Sequence, residues 1–264
     1  MIETSSHGTS YQLHGPENHP VVALVHGLGL SQETWNGHAP ELAKNYRVLT
    51  YDLFGHSDSI APPTLPSVTL FSDQLRDLMD ELNIYKAAIV GFSLGGMINR
   101  RFAMDYPDRA SALVVLNSPH DRGEKAQKLV EQQAADSDAG GVGATLDAAI
   151  MRWFTQAFRE NHPGVIQKVR DRLMANDPHI YAQCRSVLAH GVKELIRPDP
   201  PISHPTLVMT CEHDSGSTPK MSYDIAAEIE GAETMIVSDL QHMGLVERPE
   251  LFTTPILEFL NKHL

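Results

Sequence analysis

Apolar runs of four to six residues, each followed by a polar or turn-forming cluster, set the rhythm of this chain. They are Val21–Val25, Arg47–Asp52, Ala87–Val90, Ala112–Leu116, Thr206–Cys211 and Thr234–Val237. Runs this short and this rich in β-branched residues read as buried strands. Between the second and third, Phe71, Leu75, Leu78, Met79 and Leu82 recur at helical spacing with charges between them, so a helix lays one face on a sheet. Strand and helix patterns in alternation predict an α/β fold, a mostly parallel central sheet flanked by helices. The rhythm stops from Pro119 to Pro201, where helical patterns are broken near Gly140, Pro163, Pro178 and Pro198. The division expected is therefore a core in residues 1–118, a helical cap in 119–201 and the rest of the core in 202–264. An insertion there lands at the carboxyl ends of the strands, where open α/β sheets bind ligands. The Gly-rich run 138–143 reads as a loop between cap helices; it lacks the lysine and the preceding strand of a phosphate cradle. Pro255 is expected to break a C-terminal helix starting at Pro249, unless the helix restarts with Thr254 as its cap.

The chemistry concentrates at Gly91-Phe92-Ser93-Leu94-Gly95, between a strand and the helical pattern Gly96–Ala103. Strand, Gly-x-Ser-x-Gly, helix is the nucleophile-elbow arrangement. A side chain at Gly91 or Gly95 would collide with neighbouring backbone, and the serine is held in a strained conformation that lifts its hydroxyl clear of the sheet. A serine hydroxyl needs a base to take its proton and a third group to orient that base. Glu212-His213-Asp214 follows one late strand, and Asp239-Leu240-Gln241-His242 follows the next. The expected assignment is Ser93 as nucleophile, His242 as general base then acid, and Asp214 as the orienting carboxylate. Asp121, after the preceding strand, is the rival acid. His26-Gly27-Leu28-Gly29 follows the first strand, so the N–H groups of Leu28 and Leu94 are the candidates for an oxyanion hole. His26 reads as structural, holding that loop. Glu212-His213-Asp214 lacks the His-x-x-x-His type of spacing that puts metal ligands on one face, so no metal and no other cofactor is expected.

These pieces together resemble the α/β-hydrolase superfamily from about residue 10 to the C-terminus. The likeness rests on His26–Gly29, Asp52–Ser59, the elbow, Asp214 with Ser217-Thr218-Pro219, and His242 followed by Glu247-Arg248-Pro249. Gly91–Met97, Trp153–Pro163 and Asn176–Cys184 are similar to the narrower 3-oxoadipate enol-lactonase and carboxylesterase-like group. The resemblance implies ester or lactone hydrolysis on a small molecule. Carbon–carbon or amide hydrolysis on the same triad, and a ligand receptor without turnover, share these parts. A haloalkane dehalogenase is excluded, since it needs an aspartate where Ser93 stands. Trp153, Phe154 and Phe158 are candidate pocket walls. A carboxylate-bearing enol-lactone would want a cation, for which Arg152, Arg159 and Arg185 lie in the cap.

Composition narrows the partners. A formal net charge of −12 argues against nucleic acid and anionic membrane. No stretch approaches the roughly 18 apolar residues of a membrane span. The polar start Met1–Ser6 lacks the apolar core of a signal peptide, so a cytoplasmic protein is expected. Cys184 and Cys211 read as unpaired thiols in a reducing compartment. Oligomeric state, a homodimer included, stays open.

Overall fold

The computed structural model describes residues 1–140 and 143–264. Its strands are β1 (Glu3–Thr4), β2 (Ser10–His14), β3 (Val21–Val25), β4 (Arg47–Tyr51), β5 (Ala87–Phe92), β6 (Ala110–Leu116), β7 (Thr206–Cys211) and β8 (Glu233–Val237). They form one sheet in the order β1-β2-β4-β3-β5-β6-β7-β8. From β4 through β8 every pairing is parallel; β2 runs antiparallel to both β1 and β4. The six apolar runs are the six parallel strands. The antiparallel edge escapes the pattern, because Ser10–His14 is largely polar and is held by backbone pairing to β4.

Alternation along each strand divides the core into two layers. Ala23, Val25, Leu49, Tyr51, Ile89, Leu113 and Val115 pack on one face, and Val22, Leu24, Val48, Ala88, Val90, Val114 and Leu116 on the other. A period of two with both faces buried is what a sheet covered by helices requires.

The helices are α1 (Ala39–Leu42), α2 (Val68–Glu81), α3 (Leu94–Asp105), α4 (Gly123–Gly140), α5 (Gly143–Trp153), α6 (Gln156–Asn161), α7 (Pro163–Met174), α8 (Pro178–His190), α9 (Pro219–Ala227), α10 (Gly244–Glu247) and α11 (Glu250–His263). Five of them, α4 to α8, lie between β6 and β7, where the strand rhythm stops. Pro163 and Pro178 open α7 and α8 at their first turns, and the Asp177 carboxylate caps α8 by accepting from the His179 and Ile180 N–H groups at 2.9 Å. Two expectations are corrected. Asp138, Ala139 and Gly140 belong to the end of α4 rather than to a loop, while Gly141 and Val142 lie outside the described residues. Pro255 sits inside a continuous α11, which starts at Glu250 and not afresh at Thr254. Its neighbours Phe252, Ile256 and Phe259 are buried in the core, and that packing outweighs the missing hydrogen bond.

Among the described residues no helix is long and apolar enough to cross a membrane. Cys184 and Cys211 are free and buried, and burial pushes both thiols up to about 12.

Candidate active site

Ser93 sits between β5 and α3 at φ 56° and ψ −111°, in the left-handed half of backbone space that a residue with a Cβ rarely adopts. Its surroundings enforce this. A Cβ on Gly91 would lie 2.1 Å from the Gly95 carbonyl oxygen, and one on Gly95 would lie 2.2 Å from the Val25 carbonyl oxygen. The Ser93 N–H donates to the Leu116 carbonyl at 2.8 Å, and the Ser118 hydroxyl donates to the Ser93 carbonyl at 2.9 Å. Strand β6 therefore holds the turn from the side. Ser93 also precedes the first turn of α3, where unpaired N–H groups and the helix dipole favour negative charge.

His242 and Asp214 come from the loops after β8 and β7. The His242 Nδ1–H donates to Asp214 Oδ2 at 2.6 Å, with both residues buried. Asp214 Oδ1 accepts from the N–H groups of Gly216 and Ser217 at 2.9 Å each, and the Asn117 amide donates to Oδ2 at 2.9 Å. Burial alone would raise this carboxyl. The nearby His242 ring and the donors from His242, Asn117 and Ser217 outweigh it and hold Asp214 below the usual carboxylate range. With Nδ1 committed to Asp214, the Nε2 of His242 is the nitrogen left for chemistry. The ring packs against Phe92 at 4.9 Å and Trp153 at 5.9 Å between centroids.

Ser93, Asp214 and His242 line one cavity together with Gly27, Leu28 and Trp153. His26, fully buried, anchors the loop that carries Leu28. Its Nε2 accepts from the Leu53 N–H at 3.0 Å, so the proton sits on Nδ1, which donates to the Gly27 carbonyl at 2.8 Å. The Leu94 side chain is wholly buried, so only its main chain can serve the site.

Other candidates fall elsewhere. Phe154 is fully buried in the core cluster beneath β3 and β5, and Phe158 stacks on it at 5.5 Å; both lie outside this cavity. Consecutive side chains on a helix end diverge, so only Trp153 of the aromatic group faces Ser93. Arg159 is likewise turned away, donating to the carbonyls of Met151 and Phe154. Arg152 and Arg185 do line the cavity, joined by Arg122, which the sequence reading missed. Asp121 is exposed, and its Oδ1 accepts from the Gly123 N–H at 2.8 Å. Glu212, His213 and Asp239 bring ligand atoms within 4.8 Å of one another on the exposed surface, through a contact between loops that spacing along the chain hides.

The segment carrying Trp153 is tied to the loop carrying His242. The Met243 N–H donates to the Trp153 carbonyl at 2.8 Å. The Thr155 N–H and hydroxyl each donate to the Glu247 carboxylate at 2.7 Å.

Ser93, on its strained strand-to-helix turn, thus shares a cavity with a histidine paired to a buried carboxylate. A family model described as the alpha/beta hydrolase fold matches residues 20–141. The 3-oxoadipate enol-lactonase 1 of Acinetobacter baylyi is 28% identical over 251 residues, covering 92% of this chain and 89% of that protein. The (E)-2-((N-methylformamido)methylene)succinate hydrolase of the same organism is 25% identical over 251 residues, covering 94% of this chain and 93% of that one. Among solved structures, the enol-lactonase from Burkholderia xenovorans LB400 superposes with a TM-score of 0.89 at 29% identity, covering 99% of this chain and 100% of its own. The chain has the α/β-hydrolase fold, resembles the enol-lactonases and is a hydrolytic enzyme.

Proposed function

We propose that the enzyme cleaves a small carboxylic ester or lactone by acyl transfer through Ser93. The observation that carries this reading is the shared cavity, in which the strained Ser93 faces the same space as the His242–Asp214 pair bonded at 2.6 Å. His242 Nε2 takes the Ser93 proton as Oγ attacks the carbonyl carbon. The carbonyl oxygen becomes an oxyanion, held by the N–H groups of Leu28 and Leu94. Collapse of that intermediate breaks the bond to the alcohol oxygen, which leaves with the proton from His242. Water, deprotonated by His242, then attacks the acyl-enzyme and returns Ser93 with the acid as product. Asp214 holds the imidazole in the tautomer that these transfers need and stabilises the imidazolium that forms.

Residues 119–201 act as the cap of this site. Trp153 from α5 and Arg185 from α8 both contribute to the cavity, so the insertion shapes what binds. Arg152 and Arg185 give the cavity a positive wall. Among the described residues neither has a carboxylate within ion-pair distance, and the only carboxylate in the cavity, Asp214, is paired with His242. The Arg152 guanidinium is held below its ordinary value first by loss of water and then by the neighbouring Arg185. Two like charges in a cavity whose one carboxylate is already paired with His242 suit a substrate that brings a carboxylate of its own. Two relatives named as an oxoadipate enol-lactonase and a succinate-derivative hydrolase support that reading.

Ser93→Ala tests it. Initial rates on p-nitrophenyl acetate should fall by about 10⁴-fold or more in a folded variant. Retention of a tenth of wild-type activity would rule Ser93 out as the nucleophile.

A further inference from the structure

The cavity over Ser93 is small, about 120 Å³, and a second, larger hollow of about 970 Å³ lies beside it. Two residues, Arg122 and Ser215, line both. They belong to the loops that follow β6 and β7. Along these loops Pro119 and Asp214 face the inner cavity, while His120, Asp121 and Thr218 face the outer one. Arg122 and Ser215 therefore stand on the boundary. Ser215 is short and exposed, whereas Arg122 is the longer, half-buried side chain of the two.

That side chain is fastened from the cap. Arg122 Nη2 donates to the Leu188 carbonyl and Nη1 to Gln127 Oε1, each at 3.1 Å, and Gln127 donates in turn to the Ala189 carbonyl at 2.7 Å. The carbonyls belong to the last turn of α8, where unpaired C=O groups and the helix dipole favour a cation. A hydrocarbon tail pushing through would strip a half-buried guanidinium of these acceptors, and an unpaired buried cation is far costlier than a few methylenes are favourable. Beyond the partition the hollow offers apolar surface from Ile196, Pro201 and Met221.

We infer that Arg122 sets the length of substrate this enzyme accepts, by closing the inner cavity against the outer hollow. Short acyl or alcohol groups fit within the inner cavity, and longer ones are stopped at the guanidinium. This inference rests on the ester or lactone reading above.

The test is kcat/KM across p-nitrophenyl esters from two to ten acyl carbons. The wild type should fall steeply with length. Arg122→Ala should raise the octanoate-to-acetate ratio by about tenfold or more, the scale that a few methylenes gain in an apolar pocket. Arg122→Met, similar in reach but without the charge and its hydrogen bonds to Gln127 and the Leu188 carbonyl, should raise the ratio less than Arg122→Ala does, since it keeps the bulk and loses the guanidinium stop. Ala126→Trp, which fills the outer hollow only, should leave the wild-type profile alone and cancel the gain in the Arg122→Ala background. If Arg122→Ala does not fold, Arg122→Gln keeps a donor for the Leu188 carbonyl with a shorter side chain, and it should move the ratio the same way. An active wild type whose profile neither shortened variant alters overturns the inference alone. A wild type silent on every ester overturns the ester reading and the inference with it.

Discussion

Asn117 donates its amide to Asp214 Oδ2, the same oxygen that accepts the hydrogen bond from His242 Nδ1–H. It does so from a strained position at the end of β6, with φ at 46°, its N–H donating to the Met209 carbonyl at 2.8 Å and its amide also reaching Thr210 Oγ1 at 3.2 Å. Four donors thus surround one buried carboxylate, and Asn117 is the only side chain among them besides His242.

Under the proposed mechanism, removing that amide should loosen the orienting acid without touching substrate. Asn117→Leu is expected to lower kcat by roughly tenfold while KM stays near wild type, in line with one lost hydrogen bond to a charged group. Asn117→Asp sets a second carboxylate beside Asp214, and two like charges this close cannot both ionise freely, so one is pushed up. The acid limb of kcat against pH should move to higher pH in Asn117→Asp. An unchanged limb in an active variant would show that Asp214 does not depend on this neighbour.

The glycines of the elbow make a sharper demand. Gly91 and Gly95 each face backbone oxygens at 2.1 and 2.2 Å from a built Cβ, and backbone cannot swing aside as a flexible side chain can. Gly164, in the first turn of α7, has nothing within 4 Å of a built Cβ. Gly91→Ala and Gly95→Ala should therefore cost more than about 4 kcal/mol and yield little folded protein, well beyond an ordinary substitution. Gly164→Ala should match or exceed wild type by about 0.5 kcal/mol, since alanine is the better helix former. Thermal melts of the three variants decide the matter, and a normal melting temperature for Gly95→Ala would contradict the close approach.

Much of this architecture was legible because its constraints are local. Six parallel strands announce themselves by continuous apolar runs, although the edge strand β8 is largely exposed, and the elbow by two glycines at which a Cβ atom would have no room. That His242 and Asp214 lie together could be expected from their positions after late strands. What stayed hidden depends on contacts between distant segments. The edge strand β2 carries a polar sequence and takes its place by backbone pairing with β4. Phe154 follows Trp153 directly in sequence yet turns into the core, because a helix end sends neighbours in different directions, while the partly buried Phe158 of the next helix stacks on it away from the cavity. Arg122 meets the cavity only because α4 packs against α8, a relation of residues 66 and 67 positions apart that no short motif encodes. Pro255 shows the converse, a local rule overridden by the packing of Phe252, Ile256 and Phe259.

Buried neutral histidines should make the protein sensitive to mild acid. Burial pushes His26 and His38 down to about 4, and His56 down to about 3 with help from the neighbouring His26. In the unfolded chain each returns to about 6.5. Between those values the unfolded state holds more protons, so stability is complete above about pH 6.5 and drains away as the pH falls toward 4. A single site shifted from 6.5 to about 4 accounts for about 3 kcal/mol over that window. His38 is the most accessible test, because its Nε2–H donates to the Leu245 carbonyl at 3.0 Å and Nδ1 meets Thr253 Oγ1 at 2.8 Å, joining an early loop to the C-terminal region. The urea midpoint should decline from pH 7 to pH 4.5, and less steeply in His38→Gln. A midpoint that stays level over this range would mean that these rings are not held neutral by the fold.

The positive wall of the cavity leads to a prediction about discrimination rather than rate. Arg185 and Arg152 face the space above Ser93 without a carboxylate partner among the described residues. Their contribution to a neutral ester is small, since it offers no opposite charge. A mono-ester of a short dicarboxylic acid would place its free carboxylate against them, and a charge-assisted hydrogen bond there contributes roughly 1.5–3 kcal/mol. Arg185→Gln should therefore raise KM for p-nitrophenyl hemisuccinate by about 10- to 100-fold while leaving KM for p-nitrophenyl butyrate within about twofold. Arg185→Lys keeps the charge but loses the planar fork, so it should recover only part of the discrimination. Arg159→Gln is the control, since Arg159 turns its guanidinium toward the Met151 and Phe154 carbonyls outside the cavity and should not alter the ratio. If Arg185→Gln and Arg152→Gln shift both esters equally, the two arginines hold the cap together and do not recognise an anion.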